Sequence, residues 1–222
     1  HTQSNWNGIV GEISLRATGK ILFDEVAAFP NVENKSLTIK AVVNNQLSEL
    51  RSVEFLANVL SKNGNGKGKS KRWKFDISPG ENVVEMILDL GKDALLWDEF
   101  NPNVYELLFT LASDKESDTR SVDFGLREFR SEGSRFVING RPVFLRGTLE
   151  CAIFPKTGYP STDIDYWKKI YRAVKDHGLN HVRFHSWCPP EVAFDAADEM
   201  GVYLQVECSS WANQSTQLGS GL

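Results

Sequence analysis

Between Arg141 and Glu207 the chain alternates strand, helix, strand, helix and strand, and no other feature narrows its fold so far. RPVFLRGTLE (141–150) reads as a strand. STDIDYWKKIYRAVKDHG (161–178) carries Ile164, Trp167, Ile170, Tyr171 and Val174 at the spacing of one helix face. Ser161, Thr162 or Asp163 can cap its start, and Gly178 ends it. NHVRFH (180–185) is the second strand. PPEVAFDAADEMG (189–201) is a short helix, opened by proline and closed by Gly201. VYLQVE (202–207) is the third strand. Strands joined through helices in this way form a parallel sheet with right-handed crossovers.

Residues 1 to about 129 follow a different grammar. SLTIKAVVNN (36–45), RSVEFLANVL (51–60), KRWKFDI (71–77), NVVEMILDL (82–90) and VYELLFTLA (104–112) are strand candidates. Asn63-Gly64-Asn65-Gly66, Pro79-Gly80 and Asn101-Pro102-Asn103 mark turns between them. Short strands at this spacing predict a β-sandwich of roughly 100 residues. The basic loop NGNGKGKSKR (63–72) reads as a solvated hairpin tip that could touch an anion. Trp6, Trp73 and Trp97 are expected in the core of this β half.

Composition removes several function classes. The 222 residues are 41% hydrophobic and 24% charged, ordinary for a globular chain. A formal net charge of −4 argues against nucleic-acid binding. No apolar run approaches the roughly 20 residues of a membrane helix, and HTQSNWNGIVG lacks the basic start and apolar stretch of a signal peptide. Cys151, Cys188 and Cys208 are widely spaced and odd in number, so neither a disulfide framework nor a metal site is expected.

The candidate site comes from the period of two along the three strands. Arg146, Thr148 and Glu150 alternate on the first, His181, Arg183 and His185 on the second, and Tyr203, Gln205 and Glu207 on the third. These sets are expected to share one face, opposite Val143, Leu145, Gly147, Leu149, Val182, Phe184, Val202, Leu204 and Val206. Each polar set ends at the carboxyl end of its strand, where β/α folds bind ligands. Glu150, Arg183, His185 and Glu207 are therefore expected to line a site. Trp187, just past a strand end, can either offer its indole face to a ligand or pack beneath the loop.

Several runs together resemble glycoside hydrolase family 2. They are Asn180-His181-Val182-Arg183, Trp187, Pro189, Phe194, Asp198-Glu199-Met200-Gly201 and the strand ending in Glu207, which look like the family's first signature. SRFVINGRPVFLRGTLE resembles the start of its (β/α)8 barrel. LLWDEFNPNVYELLFTL resembles a strand of its immunoglobulin-like domain, FGLREF the junction between the two, and NWNGIVGEISLRA the last strand of its sugar-binding jelly roll. The resemblance departs at one place. The family writes Arg-x-x-His-Tyr-Pro after strand two, whereas here Ser186, Trp187 and Cys188 fill the last three positions and His185 stands one place early.

The resemblance implies an immunoglobulin-like β-sandwich followed by the first three β/α units of a TIM barrel. Residues 1–19 would be the last jelly-roll strand, 20–129 the sandwich and 130–222 the start of the catalytic domain. It implies a retaining hydrolase of β-linked glycosides, of the β-galactosidase, β-glucuronidase and β-mannosidase class, without cofactor or metal. About 250 residues make a whole barrel. The catalytic glutamate pair, held about 5–5.5 Å apart in retaining enzymes, is therefore expected outside this chain, which alone would be inactive and prone to self-association. Arg183 resembles the arginine beneath the nucleophile. Glu150 and Glu207 either accept from sugar hydroxyls or pair with arginines, and Asp198 is expected to hold structure. A periplasmic or secreted location would fit a polysaccharide-degrading enzyme. The competing reading is a non-catalytic carbohydrate-binding or interaction module.

Overall fold

A computed structural model describes residues 6–207 except 7, 65 and 115. It divides into two compact units, residues 14–144 and residues 1–13 with 145–222.

The first unit is a two-sheet antiparallel sandwich. Strands β1 (Ile21–Asn31), β2 (Ser36–Asn45), β3 (Arg51–Ser61), β4 (Lys69–Ile77), β5 (Gly80–Asp89), β6 (Val104–Ala112) and β7 (Ser117–Gly125) form sheets of order β1-β2-β5 and β4-β3-β6-β7. Alternation dictates the core: Leu37, Ile39, Ala41 and Val43 of β2 face Val53, Phe55, Ala57 and Val59 of β3, with Leu107, Phe109 and Leu111 of β6. A bulge between Phe23 and Glu25 bends β1. Asp118 fills the place it opens: its carboxylate accepts from the Phe23 N–H at 2.9 Å and from Arg120, which also donates to the Phe23 carbonyl.

The FGLREF junction has a packing reason. A Cβ on Gly125 would stand 2.9 Å from Trp97 Cβ and Cγ, and the Arg127 guanidinium lies 4.5 Å from the Trp97 ring centroid. Only glycine lets β7 pass the indole so closely. The chain then forms a small meander, β8 (Phe129–Glu132), β9 (Arg135–Ile138) and β10 (Arg141–Val143). Asn139 (φ 49°) and Gly140 (φ 77°) make the two-residue β9–β10 turn, the arrangement that Asn-Gly favours.

Two expectations are corrected here. Residues 141–150 are not one strand: 141–143 pair antiparallel in the meander, and the parallel strand begins only at Gly147, because the Asn-Gly turn folds 141–143 back onto β9. Trp6 does not join the sandwich core. It packs against Phe154 and Trp187 at 6.2 Å each, within the second unit.

That second unit contains β11 (Gly147–Glu150), α1 (Ile164–Asp176), β12 (His181–Phe184), α2 (Glu191–Met200) and β13 (Tyr203–Val206). The strands lie in order β11-β12-β13 and pair in parallel. Asp163 caps α1 through the Asp165 N–H, and Gly201 closes α2 with φ 69°. Trp167, Tyr171 and Val174 of α1 and Ala193, Ala196 and Ala197 of α2 cover Val182 and Phe184. Lys168–Glu199 joins the helices, and Lys175 Nζ donates to the Met200 carbonyl.

Candidate functional site

The parallel register decides which side chains can meet. Gly147, His181 and Tyr203 are level, as are Leu149, Arg183 and Gln205. Level residues of a parallel sheet point to the same face. One face therefore carries His181, Arg183, Tyr203 and Gln205 with Gly147 and Leu149. The other carries Val182, Phe184, Leu204 and Val206 with Thr148 and Glu150. The expected face is corrected for the first strand, whose polar residues point the opposite way. Gly147 explains why: a Cβ there would come within 2.4 Å of His181 Nδ1, so only glycine fits beside the imidazole.

Arg183 and Glu207 form the centre of the open face. The guanidinium donates through Nε to Glu207 Oε1 and forms a second short contact through Nη2. The Ser186 N–H donates to Glu207 Oε2 at 2.9 Å. Ser186 has φ 62°, and this left-handed turn aims its N–H back across the sheet. Desolvation pushes the Glu207 carboxyl upward, but the Arg183 hydrogen bond, the Ser186 N–H and the charges of Arg183 and His185 outweigh it and hold the group below its ordinary value. The structure thus brings Arg183, His185 and Glu207 together. A fixed cation beside two polar groups at strand ends can orient hydroxyls and bias a nearby carboxylate toward ionisation.

Glu150 lies elsewhere, over the helix-covered face. Its carboxylate accepts the Ala152 N–H at 3.0 and 3.1 Å, holding a second left-handed residue (φ 55°) at the end of β11. Burial raises its pKa, against the opposing pull of the Ala152, Ile153 and Cys151 N–H groups and the Trp187 indole. The Trp187 Nε1 is buried without a hydrogen bond of normal geometry. Burial and the Glu150 charge raise both the Tyr166 and Tyr171 hydroxyls.

Trp187 is 7% exposed, and Trp6, Phe154, Trp167 and Phe184 surround it. Its rings serve the core of this unit and offer no open face. Of the five sequence-predicted residues, three therefore converge and two sit beneath the sheet.

The residue that sequence reasoning passed over is Asn180. It is 2% exposed. Its Oδ1 accepts the Arg146 N–H at 2.7 Å, its N–H donates to the Arg146 carbonyl at 2.9 Å, and its carbonyl accepts the Tyr203 N–H at 2.8 Å. The side chain and backbone of this one residue thus tie the starts of all three strands together, and with them Arg183 and Glu207. A buried asparagine directly before a strand was the available signal. Among the described residues no group of three or more His, Cys, Asp or Glu could hold a metal, and no helix is long and apolar enough to cross a membrane. Cys208 lies outside the described residues.

The comparisons with known proteins agree with this architecture. The family model for glycosyl hydrolases family 2 matches residues 23–127, the sandwich. A β-galactosidase of Thermoanaerobacterium thermosulfurigenes is 25% identical over 209 residues, 93% of this chain and 29% of that enzyme. Over residues 23–127 the chain is similar to glycoside hydrolase family 2. The fold is also shared with a solved structure: the β-glucuronidase 2 of Bacteroides uniformis, with cyclophellitol-6-carboxylate aziridine covalently bound, superposes with a TM-score of 0.70 at 19% identity, over 86% of this chain and 24% of that one. A putative β-glucuronidase of Formosa agariphila is 25% identical over 77% of this chain and 23% of its own length. This chain thus spans less than a third of each of these three relatives.

Proposed function

We propose that this chain is part of a retaining glycoside hydrolase acting on β-linked oligosaccharides or polysaccharides. In this reading residues 1–19 end a preceding jelly-roll domain, 20–129 are the sandwich, and 130–222 begin a TIM barrel whose inner layer is the Arg183 face. The catalytic glutamate pair then belongs to later strands. Arg183 stands beside the nucleophile and keeps it ionised, Glu207 and the Ser186 N–H hold the guanidinium side of the site in place, and His185 stands at the rim. One observation carries the reading: the Arg183–Glu207 pair, locked by a left-handed serine, at the carboxyl end of a parallel sheet with helices on its other face. Solvated strands need no such arrangement. Relatives that cleave β-galactosides and β-glucuronides both match, so the sugar is left open.

The test uses the full-length enzyme and aryl β-glycosides. A cation lowers the pKa of a neighbouring carboxylate. Replacing Arg183 with Gln should move the acidic limb of the kcat/KM profile to higher pH and lower its plateau by about 100-fold, the scale of one lost charged contact in a transition state. An unmoved acidic limb would remove Arg183 from the nucleophile's neighbourhood. The 222-residue chain alone should show no turnover; activity abolished by Glu150→Gln with Glu207→Gln would locate the chemistry inside it and overturn the assignment.

A further inference from the structure

The sandwich carries a basic cavity at the seam between its sheets. Strands β4 and β5 are the facing edges, each paired on one side only. Along β4, Lys69, Lys71, Trp73 and Phe75 stand level with Val59, Ala57, Phe55 and Val53, all buried in the core. The last two of these β4 residues pack against that core. The first two put ammonium groups where the register asks for apolar side chains. Inward lysines guard an edge against strand addition, and Lys71 fits that role: it donates to the Ile87 carbonyl at 3.1 Å and lies 5.0 Å from the Trp73 ring centroid.

Lys69 does something else. Its ammonium group has no hydrogen bond or ion pair among the described residues, and its Nζ hangs over Gly91, 3.0 Å from where a Cβ would be. Lys67, Lys69 and Lys92 line a cavity of about 220 Å³ with Leu90, Gly91, Asp93 and Ala94. A fourth cation supports the rim. Lys35, held at φ 50°, donates to the Lys92 and Ala94 carbonyls at 2.6 and 2.9 Å, cancelling the negative ends that the turn would present. A left-handed lysine is unfavourable by about 1–2 kcal/mol, and here it aims a charge at this turn. Asp93 is the one acid lining the cavity, and its 3.5 Å contact with Lys67 is exposed at both ends. Positive charge is thus concentrated at one seam of a chain whose net charge is −4.

We propose that this seam cavity is an anion subsite that takes a carboxylate or sulfate group of an acidic glycan. Lys69 and Lys92 bind the anion, Lys67 closes over it, and Leu90 with Ala94 offers an apolar wall to the ring that bears it. The glycan identity rests on the glycosidase reading, whereas the anion chemistry rests on the lysines alone.

The probes are an oligogalacturonate, a sulfated galactan oligosaccharide, a neutral galactan oligosaccharide of equal length, inorganic sulfate and a single-stranded oligonucleotide of equal charge, each titrated calorimetrically into the 222-residue chain. At least one acidic sugar should bind, and the neutral sugar should not. Lys69→Met, which keeps the stem, and the rim double variant Lys67→Ala with Lys92→Ala should each weaken that binding about tenfold, the scale of one charged hydrogen bond, with unchanged melting temperature. Carboxylated against sulfated sugar tells which acid is preferred. Equal binding by the oligonucleotide, or by inorganic sulfate alone, would reduce the site to general anion attraction and overturn the glycan assignment. Acidic sugar bound equally by both variants would overturn the site itself. In the full-length enzyme, the same variants should leave aryl-glycoside turnover unchanged. A full-length protein that hydrolyses nothing would sink the glycosidase reading while leaving the measured anion site standing.

Discussion

Gly147 and Glu150 show how single residues orient the first parallel strand. Gly147→Ala drives a methyl into His181 Nδ1 and within 3.3 Å of the His181 carbonyl. Overpacking of this kind costs about 1–3 kcal/mol. A denaturation cycle should show at least half of that cost relieved in a His181→Ala background; additive costs would mean that the strand, and not the imidazole, resists the methyl. Glu150 gives a pH signature. Burial raises its folded pKa, so protonation favours the native state, and that contribution is complete below the unfolded pKa and lost as pH rises through the folded one. Glu150→Gln should therefore gain most in melting temperature over the native chain at pH 7, and the gain should shrink on acidification toward the ordinary carboxyl pKa of about 4.3. A gain that grows with acid would mean that the three backbone N–H groups dominate burial. At this scale, polarity proved a poor guide to direction: Glu150 was readable as functional because it is charged, yet the glycine three places before it held the information about which way the strand faces.

Single elements were legible where pattern and packing agree. The five strand candidates of the sandwich are β2 to β6, each inward-alternating and bounded by turn residues. The two unread strands are β1 and β7, both at sheet edges. β1 carries a bulge and Pro30, and β7 carries Asp118, Arg120 and Asp123, features that edges tolerate and that blur a period of two. Helix α1 was readable from its apolar stripe, with Ser161, Thr162 and Asp163 all open as its cap; the structure gives that role to Asp163. The β9–β10 hairpin was overlooked although Asn139-Gly140 spells it, because the flanking runs are only four and three residues long. Asn139 also accepts from the Glu128 N–H and donates to the Trp97 carbonyl, at 2.9 Å each. Asn139→Ala loses both bonds and strains a left-handed residue, so urea unfolding should register about 2–4 kcal/mol, while Asn139→Gly should recover the backbone part, about 1 kcal/mol. Equal costs for the two variants would assign the whole effect to the side-chain bonds.

At the scale of the molecule, the two units differ in how well their sheets are finished. The sandwich closes its sheets around a common core, and its outer strands are long and paired over nine or ten residues. The parallel sheet has four-residue strands, and among the described residues β11 and β13 each have one neighbour. Helices cover one face only, and Leu149 and Val206 remain 51% and 37% exposed. An open edge offers unpaired N–H and C=O groups to another strand, and exposed apolar side chains at that edge add to the attraction. The 222-residue chain is therefore expected to self-associate through β11 or β13, as a substitute for the neighbours that a closed barrel would supply. Light scattering coupled to size separation should show mass rising with concentration. Amide exchange should show β11 and β13 protected only in the associated form, against concentration-independent protection of β2, β3 and β6. A Leu149→Lys variant places a charge on the β11 edge and should return the chain to a monomer without altering exchange in the sandwich. A native chain that stays monomeric at high concentration, with β11 amides as slow as those of β3, would mean that three parallel strands and two helices are self-sufficient, and that the barrel reading must stand without support from open edges.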